Sequence, residues 1–416
     1  MRRVVGHLER WLHEAWQFEL TPAGKVMLVA ILFCAAGSSL TLLSIPVYHL
    51  VTALVAIYVV SYVVSFALRP RLQIDPRIPS KATAGQPVPG HFRITNCARI
   101  SAYDLGVGFF RLPPAVAETG PGHIVRELGP GQSERVDFEL YPRRRGLHNL
   151  GGYRGYSSFP LGFHRRGTPR QETRPLLVLP AFHPLASLNV PLGRRHQPGG
   201  ITLTSNVGES PEYVGNRDYR PGDPMRRICF KSWARLNKPV VREYQEEYYC
   251  RIGLILDTYV PRRRRRPAGG FPELEAGVSL SAAVADALTG GEHIIDVFAA
   301  GPELYVFRAG RHLAHIENVL ETLACVDACR QSPFDKITPA LNEELRNITA
   351  VICVLLDWDR PRRELVRTAV EAGCQTRVAV IRDGAPTEPI EPAEEWAGPI
   401  ARFTPQHVLD GGVDRL

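Results

Sequence analysis

Catalytic signatures are what this chain most conspicuously lacks. It holds no Gly-x-x-x-x-Gly-Lys-Ser/Thr phosphate loop, no His-Glu-x-x-His, no Gly-x-Ser-x-Gly and no Gly-x-Gly-x-x-Gly after a strand, so the common routes to nucleotide, zinc and acyl chemistry have no residues to run on. Charge is absent from Val26 to Leu68. That run is roughly twice the ~20 residues that cross a bilayer, and it predicts two helices, 24–44 and 47–67, joined at Ser44-Ile45-Pro46. A cleaved signal peptide fits poorly, because the apolar stretch is too long and a second span follows. Short paired cysteine spacings are missing as well. The eight cysteines, at 34, 97, 229, 250, 325, 329, 353 and 374, lie mostly in apolar runs, which reads as reduced, buried thiol and not as a disulfide framework.

What is present organises the 416 residues into successive regimes. Residues 1–23 are an amphipathic lead-in with Trp11, Trp16 and Phe18 among arginines, suited to an interface or to an ordinary lead-in helix. Residues 24–68 are the two expected spans. Basic residues flank both ends (Arg2, Arg3, Arg10 and Lys25; Arg69, Arg71, Arg77 and Lys81) while the turn carries no charge, so the positive-inside rule puts both termini in the cytoplasm. Residues 69–185 alternate short β-rich runs, such as His91–Thr95 and Val136–Leu140, with Gly-Pro turns; this is the spacing of an all-β, sandwich-like domain. Residues 186–210, rich in Gly, Pro, Ser and Thr, read as a linker.

Residues 211–416 return to α/β. The apolar run Ile252–Thr258, ending in an acid, reads as a buried parallel strand. A helix over Glu273–Leu288, strands over Ile294–Ala299 and Glu303–Phe307, a helix over Ile316–Cys329, a strand over Ala350–Leu356, a helix over Arg362–Ala372 and a strand over Thr376–Ile381 follow. Strands alternating with helices predict a doubly wound sheet. The net charge of +8 and pI near 9.1 favour an anionic partner, and the spans turn that preference towards lipid.

Acids and bases are densest around one turn, Arg217-Asp218-Tyr219-Arg220-Pro221-Gly222-Asp223, followed by Arg227-Ile228-Cys229-Phe230-Lys231-Ser232-Trp233-Ala234-Arg235. Pro221 fixes φ, Gly222 admits a positive φ and Asp223 can bond nearby backbone. Ile228-Cys229-Phe230 reads as a short strand-like run. Interleaved charges of this kind suit a network that fixes geometry. These residues resemble the signature of the bacterial domain of unknown function 58 family, in which Arg-x-Tyr-x-Pro-Gly-Asp leads into Arg-x-Ile-x-Trp-Lys-x-x-Ala-Arg. The chain departs at Phe230, where the pattern has Trp, and at Asp218, in a variable place. The resemblance extends more weakly over most of the chain. It implies a membrane-anchored protein of the bacterial inner membrane, with a von Willebrand A-like α/β domain, working beside a MoxR-type AAA+ ATPase; it implies no enzymatic activity and no cofactor. Arg217, Tyr219, Pro221, Gly222, Asp223, Arg227, Lys231 and Arg235 are then either a fold-defining turn or a recognition surface.

In open α/β sheets ligands sit at the carboxyl ends of the strands, where Asp257, Asp357 and Asp359 fall. Metal-binding von Willebrand A domains carry Asp-x-Ser-x-Ser there, whereas this chain has Asp257-Thr258-Tyr259-Val260-Pro261. Both serines are missing. The three carboxylates are either a degenerate site for a hard cation such as Mg²⁺ or strand-end acids that cap a helix and meet nearby arginines. The run Arg262, Arg263, Arg264, Arg265 and Arg266, bracketed by prolines, is either an anionic-lipid contact or a solvated insertion; a nucleic-acid role has no stacking platform to support it. Cys325 and Cys329, at i and i+4, read as core packing. Two functions remain in view: a membrane-anchored, non-catalytic adaptor for assembly or maturation of membrane or envelope complexes, and a hydrolase or transferase acting on an envelope substrate, using Asp223 with Asp257 or Asp357 as acid and base.

Overall fold

The computed structural model describes residues 15–40, 45–110, 112–119, 124–170, 172–190, 213–223, 225–244, 251–261, 264, 267, 270–289, 294–300, 304–309, 316–345, 348–390 and 392–416. Most of the lead-in (residues 1–14), Ser44 of the expected turn, linker residues 191–210 and four of the five consecutive arginines (262, 263, 265 and 266) lie outside the described residues. The chain divides into two compact units, Met1–Ala181 with the short pieces Arg266–Phe271 and Leu320–Val326, and the remainder from Phe182 to Leu416.

In the first unit, Thr21 and Pro22 open helix α1 (Pro22–Leu40), the Thr21 hydroxyl accepting from the Gly24 N–H at 2.9 Å as an N-cap does. Helix α2 (Ile45–Ala67) follows. Over Tyr48–Ala67 it has the length and apolarity to cross a membrane, with a mean hydropathy of 2.3, whereas the apolar part of α1, Pro22–Gly37, is shorter. Its outward residues are bare apolar groups such as Val60 and Phe66, at 60% and 63% exposure.

The strands of this unit are β1 (Leu72–Arg77), β2 (Lys81–Thr83), β3 (Val88–Asn96), β4 (Ala102–Phe109), β5 (Val116–Thr119), β6 (Val125–Leu128), β7 (Ser133–Pro142), β8 (Gly146–Leu150), β9 (Tyr153–Ser157), β10 (Arg166–Arg170) and β11 (Arg174–Leu179). They form sheets in the orders β1-β3-β7-β5, β10-β9-β4-β6 and β2-β11-β8. Ile74, Phe92, Ile94 and Val136 of the first sheet pack on Leu105, Val107 and Tyr153 of the second, so alternate residues of each strand face a shared core, as in a sandwich. The turn Ser158–Phe163 closes onto α2, with Phe163 stacked on Tyr58 at 6.2 Å between ring centroids.

The second unit opens with a two-stranded antiparallel ribbon, β12 (Tyr213–Asp218) and β13 (Val240–Tyr244), which brackets helix α3 (Phe230–Leu236). A six-stranded sheet follows, built from β14 (Arg251–Asp257), β15 (Ile294–Ala300), β16 (Leu304–Ala309), β17 (Ala350–Leu355), β18 (Gln375–Ile381) and β19 (Ile400–Phe403). Its order is β16-β15-β14-β17-β18-β19. All neighbours are parallel except β16, an antiparallel edge. Every residue of β17 is buried, which is why the central strands read as unbroken apolar runs. Helices α4 (Pro272–Thr289), α5 (Ile316–Cys325, of which Leu320–Cys325 groups with the first unit), α6 (Phe334–Leu345), α7 (Arg360–Glu371) and α8 (Pro405–Leu409) follow. α4 lies so close to the sheet that a Cβ on Gly277 would come within 3.3 Å of Leu356 and 3.4 Å of Leu256.

Three expectations need correction. Ile228-Cys229-Phe230 is not a strand: Ile228 makes a single bridge to Val241, and Phe230 already begins α3. The helix expected over 316–329 stops at Cys325, so Cys329, buried, does not share a helix face with the exposed Cys325. Cys97 is also exposed, so burial is not common to all the cysteines.

Candidate functional site

The central signature folds as a compact clasp. The Arg220–Asp223 turn is closed by the Asp223 N–H donating to the Arg220 carbonyl at 3.0 Å, and Gly222 takes φ +107°, a value that admits glycine and strains other residues. Asp223 Oδ2 accepts from the Arg220 N–H at 2.8 Å, and the Arg217 guanidinium grips both carboxylate oxygens at 2.7 Å. These hydrogen bonds hold the Asp223 carboxyl down at about 2. Tyr219 ties the ribbon through its N–H to the Pro239 carbonyl at 3.0 Å. Arg217, Tyr219, Pro221, Gly222 and Asp223 therefore form one local turn.

Lys231 and Arg235 lie on α3, which has no buried residue at all, and Arg227 ends the short 3-10 turn Met225–Arg227 that precedes it. Phe230, Trp233 and Leu236 recur every third residue, so they share one side of the helix, and they are 68%, 39% and 48% exposed. Phe230 and Trp233 stack at 6.1 Å, and Met225, five residues before Phe230 in sequence, is 78% exposed. Lys231 and Arg235, one turn apart and exposed, have no carboxylate partner among the described residues. From Arg217 to Arg242 the chain carries eight cations against two carboxylates, a net +6, so most of the protein's excess positive charge surrounds this apolar stripe. The sequence had offered Phe230 as strand; the i, i+3, i+6 repeat of Phe, Trp and Leu was the signal for an uncovered helix.

The Cys229 thiol lies between the clasp and α3. Hydrogen bonds from Ser232, then Arg242, pull it down to about 7, with its sulfur 3.3 Å from the Ser232 hydroxyl.

At the carboxyl edge of the large sheet the three strand-end acids meet arginines. Asp257 is fully buried, and its oxygens accept from the Tyr259 N–H at 2.8 Å, the Leu356 N–H at 3.0 Å and Arg362 Nε at 2.6 Å. Asp359 caps α7, accepting from the Arg362 N–H at 3.3 Å, and takes Arg362 Nη1 at 2.6 Å. Arg362 Nη2 donates to the Tyr259 carbonyl at 3.0 Å. One guanidinium thus occupies the space between Asp257 and Asp359, with its own side chain 3% exposed. Burial draws the Arg362 pKa down, but Asp257 and Asp359 outweigh it and the net shift is upward. Asp357 has other partners. It accepts from the Thr387 N–H at 2.9 Å, the Thr387 hydroxyl at 2.6 Å and Arg382. The carboxylates expected at the strand ends are therefore there, and arginine and backbone donors take up their oxygens. Arg362 was not among the residues singled out in the sequence.

Above this edge opens a cleft of about 930 Å³, lined by Val260, Pro261, Pro272, Leu356 and Pro405 on apolar walls and by charged groups including Arg264, Glu273 and Asp383.

No family model and no curated protein matches the sequence. Among solved structures, the chain is similar to the CARDB domain of a Pyrococcus furiosus protein, at 14% identity over 27% of this chain and 90% of that one with a TM-score of 0.18. It is similar to Escherichia coli alpha-2-macroglobulin at 17% identity over 27% of this chain and 7% of that one, TM-score 0.20, and to a Porphyromonas gingivalis protein of unknown function at 15% identity, 29% and 53% coverage and TM-score 0.20. Likeness at this level carries no functional argument.

Proposed function

We propose that the protein is a membrane-anchored adaptor whose α3 surface docks an acidic protein partner. The observation that carries this is the bare state of α3. A seven-residue helix with a Phe-Trp-Leu stripe and no buried residue leaves apolar area in water that a partner would cover, and aromatic groups amid cations are what docking surfaces favour. The resemblance of the signature to the domain of unknown function 58 family names a MoxR-type AAA+ ATPase as the partner, with assembly or maturation of membrane or envelope complexes as the process. We place two spans, 24–44 and 47–67, in the bacterial inner membrane with both termini cytoplasmic, following the charge asymmetry, and we read the second unit as von Willebrand A-like.

An acid–base role for Asp223 with Asp257 or Asp357 has less to support it. General acid–base work needs a carboxyl that exchanges protons near neutral pH, whereas Asp223 is held at about 2 and Asp257 is buried on an arginine.

The test is site-specific photocrosslinking from position 230 in native membranes. An AAA+ ATPase should appear in the adduct, and it should vanish when Lys231 and Arg235 are both reversed to Glu. Adducts with lipid alone, or adducts indifferent to the charge reversal, would overturn the reading.

A further inference from the structure

The walls of the strand-end cleft differ in character from the rest of this cationic protein. Among the described residues, Arg264, Arg362 and Arg382 line it, against Glu273, Asp357, Asp359 and Asp383, and Arg362 also neutralises Asp257 beneath, so these described groups sum to net −2. A divalent ion wants six or more oxygens, and the oxygens of Asp257, Asp357 and Asp359 already hold arginine or backbone donors. Glu273 differs from these. It stands in the first turn of α4, is 6% exposed, and one carboxylate oxygen takes Arg264 at 2.8 Å. Its other oxygen is buried without a hydrogen-bond partner among the described residues, a state that is costly for a carboxylate.

Arg264 is a weakly fastened occupant. Its side chain is 53% exposed, and Glu273 is its side-chain partner among the described residues. From these relations we infer that the cleft is a receptor for an alkylammonium group, which displaces Arg264 and takes both oxygens of Glu273. The apolar walls fit this chemistry. Pro261, Pro272 and Pro405 offer a surface along which the methylene stem of a lysine or polyamine lies while its charged head reaches the carboxylate. The cleft volume, about 930 Å³, accommodates several such groups.

The two members of the Arg264–Glu273 pair then have opposite effects on binding, which a purely structural ion pair would not produce. The probe is fluorescein-labelled tetralysine, read by anisotropy against the full-length protein in detergent. Glu273→Gln weakens binding about tenfold, the loss of one charge-assisted bond, whereas Arg264→Ala tightens it roughly threefold by vacating the site. Asp383→Lys, at the exposed rim, weakens binding without touching the buried pair and so stands in if Glu273→Gln fails to fold. Spermidine added as competitor separates the sources: displacement of tetralysine at equal ammonium concentration identifies a free polyamine ligand, and its failure to compete identifies a lysine-bearing polypeptide. If Arg264→Ala and Glu273→Gln shift affinity in the same direction, or neither they nor Asp383→Lys alters it, the inference falls.

Discussion

Arg362 Nε donates to Asp257 Oδ2 at 2.6 Å across 105 residues of sequence, with the two side chains 3% and 0% exposed. A planar fork suits this position, because its remaining nitrogens reach Asp359 and the Tyr259 carbonyl at once.

Arg362→Ala should therefore destabilise the second unit by about 3–5 kcal/mol, since it strands a buried carboxylate. Arg362→Lys should recover little of that, because a point charge cannot serve three acceptors. Urea unfolding of each variant measures both effects. The double variant Asp257→Asn/Arg362→Met should be far less damaged than the two single losses combined, as expected of a coupled pair.

The acid limb of stability should carry the mark of Asp223. Its carboxyl titrates at about 2 when folded, below its ordinary 3.8, so its stabilising contribution is complete above about 4 and disappears as pH falls through 2. Carbon-detected NMR titration would locate the transition. In Arg217→Ala, which removes the fork on both oxygens, the midpoint should rise towards 3.8.

Phe230→Asp should leave unfolding unchanged within about 0.5 kcal/mol, because the ring is 68% exposed and the helix has no buried residue. A large stability loss would show that the stripe is core and not a docking surface.

The Cys229 thiol should be alkylated by iodoacetamide with a pH midpoint near 7, followed by mass spectrometry of its own peptide, because Ser232 and Arg242 favour the thiolate. Ser232→Ala should move that midpoint upward. Cys353, which burial pushes up to about 12, should stay unmodified over the same range.

The α/β alternation was legible because buried parallel strands need no polar face: Ile252–Leu256 and Ala350–Leu355 carry no charged or strongly polar side chain and fall within β14 and β17. Helix α6 was not legible, since Pro339 sits inside it and proline ordinarily argues for a break. The short β19 and α8 have too few residues to establish a period. At the site, Asp359 on the threshold of a helix was readable as a cap, but its partner three residues on was not. Arg362 looks like one more cation in Arg360-Pro361-Arg362-Arg363 until folding turns it towards Asp257. The uncharged run was legible as helical, and the described residues carry α1 and α2 along it, because an apolar run of that length is too long for a strand.

The Asp257–Arg362 pair also sets a clock on biosynthesis. A ribosome adds about 5–20 residues per second, so the 105 residues between them correspond to roughly 5–20 seconds in which β14 exists without the counter-ion that its terminal carboxylate needs. A soluble ion would be available throughout that interval, but a tethered guanidinium is not. The large sheet therefore closes late in synthesis, after α7 has emerged, and until then the nascent unit is at its most exposed to chaperones and proteases.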